Sequence, residues 1–396
     1  MRKILVADIS PPDRIAAATL VVREGAAYSP PKRKILVAAG RLCPGSVAKV
    51  LFDTVQGIPD YHFLIWVAPG EERSSGATLR RCWEDLGGEW PENFSFLTSR
   101  REAEMLALEI HSTFVHLFTD DSWYMRFSLE RGIPIVTFSH SVSYFEDYPL
   151  VSSPRAPKVV WQRRAFVLAS TIVCWSNLEK EFIGRFLPVV RDKIVVIPLC
   201  QRMPPEAQRR RTSPAGHRVE VLFAGRPLAT RKGFAYLAAA LQELAGRGYD
   251  VHLTVADAFT NAAPLAKRRF SDSLDGVAVR WLRDLEREKM RRAYQSVHVV
   301  VVPSLYDSWC KVVTEAIAEG TPVIATDATG ATEFFRREEV PRVRAGDSGA
   351  IVAALERLLS DYRGSVAATE KARERLRAEL TVEKHAARLR RALGME

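Results

Sequence analysis

The sequence predicts an α/β protein built from two units, each a parallel sheet with crossover helices. Three observations carry that expectation. The chain has 396 residues, too many for one compact domain and enough for two. Short apolar runs alternate with amphipathic stretches from end to end, as parallel sheets with helical crossovers require. The alternation breaks at QRMPPEAQRRRTSPAGH, Gln201 to His217, a polar segment rich in Pro and Arg that reads as a linker. The expected division is a first domain at 1–200, a linker at 201–217, a second domain at 218–375 and a final helix at 376–396.

In the first unit the candidate strands are KILVADI, KILVAAG, HFLIWVA, STFVHLF, IPIVTFS, STIVCWS and KIVVIPL, with helices such as SVAKVLFDTVQGI and NLEKEFIGRFL between them. The likeness of RKILVADIS at the start to RKILVAAGR at Arg33 is common strand chemistry rather than a repeat. The second unit restarts with VEVLFAG, a helix from near Gly233, then VHLTVAD, VAVRWL, VHVVVVPS and TPVIATD. From Ser348 onward the chain is helical and charged.

Apolar residues form 47% of the chain and are spread along it, so each half can bury its own core. No run reaches the roughly 18 apolar residues of a membrane span, and the N-terminus lacks the long apolar core of a secretory signal. A cytoplasmic protein is expected. The five cysteines (Cys43, Cys82, Cys174, Cys200, Cys310) are scattered without zinc or dithiol spacing, so no metal site is expected. The net charge of +10 suits phosphate-bearing substrates or peripheral contact with the inner face of an anionic membrane. No nucleic-acid motif accompanies it, so nucleic acid is not an expected partner.

Two stretches carry chemistry. In VEVLFAGRPLATRKG, Val219 to Gly233, a strand ends at Gly225 and a loop with Arg226 and Lys232 leads into a helix. Ligands of open α/β sheets bind at the carboxyl ends of strands, and two cations beside a glycine there suit a diphosphate. The second stretch, VVVVPSLYDSWCKVVTEAIAEGTPVIATDATGATEFF, runs from Val299 to Phe335. A strand ends near Ser304, Asp307 stands in the loop, and a helix starting near Ser308–Lys311 carries Glu315 and ends at a capping Gly320. Its N-terminus favours phosphate, and TGATEFF opens another helix.

PSLYDSWCKVVTEAIAEGTPVIATDATG resembles the signature region of the family 4 retaining glycosyltransferases, which have the GT-B fold of two Rossmann-like domains facing an interdomain cleft. That family carries two acids separated by seven residues, as Asp307 and Glu315 are. FAGRPLATRKG resembles its Gly-Arg … Lys-Gly element. The resemblance implies that Arg226 and Lys232 hold the donor diphosphate, with Gly225 beside them, and that Glu315 binds the ribose. It places Asp307, with Ser308, Trp309 and Cys310, by the donor sugar. GIPIVTFSHS is similar to the strand ending in a His that faces that sugar, here His140, and AAGRLCPGSVAKV to the glycine-bearing loop, here Gly45. The final helix, LTVEKHAARLRRAL, is similar to one that crosses back to the first domain. The implied reaction moves a sugar from a UDP- or GDP-sugar, as substrate rather than cofactor, to a hydroxyl of a glycan or lipid-linked acceptor. It proceeds with retention and without an essential metal.

Ser308 and Cys310 stand where the family commonly has glycines, Asp307 is an acid one methylene shorter than the usual Glu, and Lys311 replaces an apolar residue. Alternatives therefore stay open. Asp307 is also a candidate helix N-cap, His140 a structural hydrogen-bonding residue, and Cys310 a thiol activated by a helix N-terminus. The whole chain is alternatively a binding subunit without turnover, or a sugar-nucleotide epimerase or phosphorylase of related fold.

Overall fold

The computed structural model describes residues 33–40, 46–67, 91–97, 99–116, 123–140, 157–204, 216–257, 263–283 and 286–395, with a few isolated positions besides. KILVADI, Gly45, Cys43, Cys82 and most of the linker lie outside the described residues.

The first unit is a seven-stranded parallel sheet in the order β3-β2-β1-β4-β5-β6-β7. Its strands are β1 (Arg33–Gly40), β2 (Tyr61–Val67), β3 (Phe94–Phe96), β4 (Ile110–Val115), β5 (Ile135–Phe138), β6 (Thr171–Cys174) and β7 (Ile194–Val196). The described helices are α1 (Ser46–Gly57), α2 (Arg100–Met105), α3 (Trp123–Glu130), α4 (Pro157–Leu168) and α5 (Asn177–Phe186). The second unit is a six-stranded parallel sheet in the order β10-β9-β8-β11-β12-β13. It comprises β8 (Arg218–Ala224), β9 (Asp250–Asp257), β10 (Val277–Arg283), β11 (Val299–Val302), β12 (Val323–Thr326) and β13 (Arg342–Val343). Helices α6 (Phe234–Gly246), α7 (Ala263–Phe270), α8 (Arg287–Gln295) and α9 (Lys311–Ala318) connect them, followed by α10 (Ser348–Ser360), α11 (Tyr362–Glu379) and α12 (Val382–Leu393).

Central strands buried on both faces explain the unbroken apolar runs: all four residues of β11 and of β12 are buried. The edge strands β3 and β13, three and two residues long, escaped the sequence reading because so short a piece carries no periodicity. In each sheet the strand order reverses at one place, between β1 and β4 and between β8 and β11. The crevices beyond the carboxyl ends of those pairs are where open sheets bind ligands.

One apolar cluster runs through both units, joining Phe138 and Trp175 of the first to Trp309, Val313 and Ala331 of the second. Fully burying a side chain such as Phe138 contributes about 1.5–3 kcal/mol. Helix α12 leaves the second unit and packs on α1: a Cβ on Gly57 would lie 2.7 Å from the Ala386 side chain. There the buried His385 Nδ1 lies 2.9 Å from the Pro198 carbonyl, and Arg390 pairs with Asp60. Among the described residues no helix is long and apolar enough to cross a membrane.

The structure corrects two local expectations. TGATEFF does not open an α-helix but forms a single 3-10 turn, Gly330–Phe334. The Gly330 and Ala331 amides are already bonded to the Asp307 and Trp309 carbonyls (2.9 and 2.8 Å), which ties the segment to its neighbour loop. Nor is Asp307 the N-cap of α9. That position is Cys310, three residues on, and the Asp307 backbone is instead laced to the loop after β12, with its N–H donating to the Ala328 carbonyl at 3.0 Å.

Candidate donor site at the carboxyl ends of two strands

Three loops build the site, those after β8, β11 and β12. After β8, the Gly225 amide donates to the Ala256 carbonyl at 2.9 Å, and the chain then turns through a 3-10 segment, Thr230–Lys232, into Gly233. Gly233 has φ of +67°, and a Cβ there would come within 1.8 Å of the Pro303 carbonyl oxygen. This close approach seats the start of α6 on the end of β11. The Leu305 amide adds a bond to the Arg231 carbonyl at 2.7 Å. The two loops are thus locked together, and their side chains meet.

Lys232 Nζ donates to Asp307 Oδ2, and Arg231 Nη1 stands 3.9 Å from the same oxygen. Burial alone pushes the Asp307 carboxyl up. The neighbouring Lys232 and Arg231 cations, with hydrogen bonds from Lys232 and the Trp309 amide, outweigh it and hold the group below its ordinary value. Burial likewise pushes Lys232 down, and Asp307 more than restores it. Both remain charged at neutral pH. Arg226, by contrast, is exposed at the mouth of the loop.

Glu315 lies deeper along α9. It accepts from the Tyr294 hydroxyl at 2.9 Å and faces Lys49 Nζ of α1 at 3.6 Å, so the first unit supplies a cation to an acid of the second. Burial raises its pKa, but Lys49, Tyr294 and Lys311 together leave it lowered. Trp309 turns its ring into the shared core, and its indole N–H has no hydrogen-bond partner among the described residues.

Across the cleft, Ser308 Oγ donates to the His140 carbonyl at 2.9 Å, and Ser176 Oγ donates to the Ser308 carbonyl at 2.7 Å. The His140 Nε2 atom is 3.1 Å from His116 Nδ1, and the His116 ring stacks on Phe138 at 4.3 Å. Burial, then the Lys311 cation, push His140 down to about 3, so the imidazole is neutral at physiological pH. The structural alternative for His140 is therefore realised in part: its carbonyl and ring are both bonded.

Cys310 corrects another expectation. Its thiol is not activated but pushed up to about 12 by burial and by Asp307, so it stays protonated. Its backbone has φ of +67°, alone among the described non-glycine residues in being positive. That is the left-handed region where L-residues are strained by about 1–2 kcal/mol, which gives a physical reason for a glycine at this position. Cys310→Ala removes the thiol and keeps the strain, whereas Cys310→Gly removes both. The glycine variant is expected to be the more stable of the two by about 1 kcal/mol, because alanine keeps the left-handed strain and is also the poorer N-cap. Urea unfolding of both variants checks this, and a more stable alanine variant would mean that the left-handed backbone carries no strain.

The structure thus brings Lys232 and Asp307 into contact and joins Ser308 to His140, while Glu315 has partners of its own. Sequence reasoning missed Lys49, His116, Arg231, Tyr294 and Glu333. Only His116 carried a signal, a polar residue near the end of the apolar run STFVHLF. Among the described residues no group of three or more His, Cys, Asp or Glu is placed to hold a metal ion.

Residues 218–361 match the family model described as Glycosyl transferases group 1. An uncharacterized glycosyltransferase of Methanocaldococcus jannaschii is 29% identical over 143 residues, 36% of this chain and 36% of its own. The alignment thus spans about a third of that relative's length. Sucrose-phosphate synthase from Thermosynechococcus elongatus superposes with a TM-score of 0.67 at 16% identity, over 92% of this chain and 98% of that one. HepE from Anabaena, solved with UDP and glucose, gives 0.66 at 16% identity over 92% and 100%. A UDP-forming trehalose-phosphate synthase from Burkholderia xenovorans gives 0.61 at 16% identity over 92% and 99%. These likenesses establish the architecture as GT-B, two Rossmann-like domains with parallel sheets.

Proposed function

We propose that the chain is a retaining glycosyltransferase that moves a sugar from a UDP- or GDP-sugar to a hydroxyl of a glycan or lipid-linked acceptor. The observation that carries this reading is the convergence of Lys232 and Arg231 on Asp307, at the strand-order reversal of the second sheet and in the loop whose next residue, Ser308, bonds the His140 carbonyl of the first. Cations held there suit a nucleoside diphosphate. The family match over 218–361 covers Arg231, Lys232 and Asp307 and supports the reading. So does the UDP in the HepE complex.

In this reading the diphosphate draws Lys232 from Asp307 and meets Arg226 at the mouth of the loop. The two cations stabilise the charge that develops on the leaving diphosphate, and no protein nucleophile is required. Asp307, released from its lysine, is then free to accept from a sugar hydroxyl. Glu315, ionised and held by Tyr294 and Lys49, accepts from the ribose hydroxyls. Neutral His140 donates or accepts a hydrogen bond without carrying charge. Between α3 and α4 of the first domain, Arg126, Arg163 and Arg164 line a depression beside the exposed Leu129, Val160 and Val167. That mixture suits peripheral contact with an anionic membrane that carries a lipid-linked acceptor.

Thermal stabilisation by UDP, GDP and ADP tests the donor site. One nucleotide at 100 times its Kd should stabilise the protein by about 2.7 kcal/mol, and Arg226→Ala and Glu315→Ala should each weaken the shift. No shift with any of the three at millimolar concentration would sink the reading. A shift without sugar transfer or donor hydrolysis would instead identify a binding subunit without turnover.

A further inference from the structure

The seam between the domains contains a contact that the donor site does not use. Glu333, in the 3-10 turn after β12, sends its carboxylate across the cleft to the N-terminus of α5 in the first domain. It accepts from the Asn177 amide at 2.8 Å, the Leu178 amide at 2.6 Å and Asn177 Nδ2 at 3.1 Å. The preceding residue, Ser176, is the N-cap of that helix. Its Oγ accepts from the Glu179 amide at 3.1 Å while donating to the Ser308 carbonyl. An α-helix leaves its first amides unpaired. Here two of them are satisfied by the other domain, and the cap itself is docked on the other domain.

The same turn holds the donor loop. Gly330 donates to the Asp307 carbonyl and Ala331 to the Trp309 carbonyl. Gly330 also lies so close to the seam that a Cβ there would sit 2.1 Å from the Ser308 carbonyl and 2.4 Å from Ser176 Oγ. One short segment therefore grips a helix of the first domain with its side chain and the Asp307–Cys310 loop with its backbone.

We propose that Glu333 is a positioning residue, an interdomain clasp that holds the first domain by the N-terminus of α5 and couples closure of the cleft to the conformation of the donor loop. A carboxylate is the right group, since it meets both the unpaired amides and the positive end of the helix dipole. Because Glu333 is exposed, its effect is moderate.

Two variants test the clasp. Glu333→Gln removes the charge at nearly constant shape. Asn177→Asp places an acid in the first turn of α5, which favours that helix in isolation but repels Glu333. Both are expected to enlarge the radius of gyration in small-angle scattering. Amide exchange across 176–180 should quicken roughly three- to tenfold. The kinetic arm rests on the proposed transferase reading. The donor KM should rise by a similar factor with kcat nearly unchanged, because the donor must then supply the closure itself. A merely structural role would lower kcat through loss of folded protein and leave KM alone. Unchanged scattering and exchange in both variants would overturn the clasp. If no transfer is found in the wild-type protein, the scattering and exchange arms still decide the clasp, and that failure counts against the transferase reading alone.

Discussion

Lys232→Ala is expected to lower kcat/KM for sugar transfer about 10²–10³-fold, the usual scale for removing one group that stabilises developing negative charge. It should also destabilise the fold, for a separate reason. Lys232 is the closest cation to Asp307, and both side chains are largely buried. Removing one member of a buried pair and leaving the other charged costs about 3–5 kcal/mol, here reduced by Arg231 at 3.9 Å. The double variant Lys232→Ala/Asp307→Asn separates the two effects. Stability should largely return, because no uncompensated carboxylate remains, while the transfer rate stays low. Steady-state kinetics and urea unfolding on the four proteins of the cycle check this. Full recovery of transfer in the double variant would show that Lys232 acts only by neutralising Asp307.

The pH dependence has a defined sign. The native Asp307 pKa is lowered, so its contribution is present above the ordinary carboxylate value of 3.8 and lost as pH falls further through the native one. The native Lys232 pKa is raised, so its contribution is present below the ordinary 10.5 and lost as pH rises through the native value. Between those limits the pair is intact, and assays near neutrality leave it undisturbed.

The two-sheet architecture was legible because buried parallel strands write themselves as short apolar runs, and KILVAAG, IPIVTFS and VVVV each became strands. The loop residues of the second domain were legible because their neighbours in space are close in sequence or set by one strand order. Contacts across the cleft were not. Lys49 reaches Glu315, and Glu333 reaches Asn177, only because two separately folded sheets meet at one angle, and no local spacing encodes that angle. The Cys310 backbone is intermediate. The resembling family commonly has a glycine there, but a cysteine gives no local sign of a left-handed backbone, and only the dihedral of +67° exposes it.

Gly233→Ala is expected to be the most damaging small substitution in the second domain. At φ of +67° an L-residue is strained by about 1–2 kcal/mol. The new methyl would also meet the Pro303 carbonyl oxygen at 1.8 Å and its carbon at 2.7 Å. Those are backbone atoms at the end of a buried central strand, with no flexible side chain to yield. Forcing extra atoms into such a site costs roughly a further 1–3 kcal/mol. The total is about 2–5 kcal/mol. Gly132 provides a matched control, since its φ is +66° and an added Cβ would meet nothing within 4 Å. Gly132→Ala should therefore show the strain without the clash, a loss of about 1–2 kcal/mol. The difference between the two variants in urea unfolding isolates the close approach of α6 to β11. Equal losses would mean that the loop relaxes freely around Pro303. In that case Lys232, one residue before the glycine, is not held toward Asp307 by the seating of α6 and must owe its position to the ion pair alone.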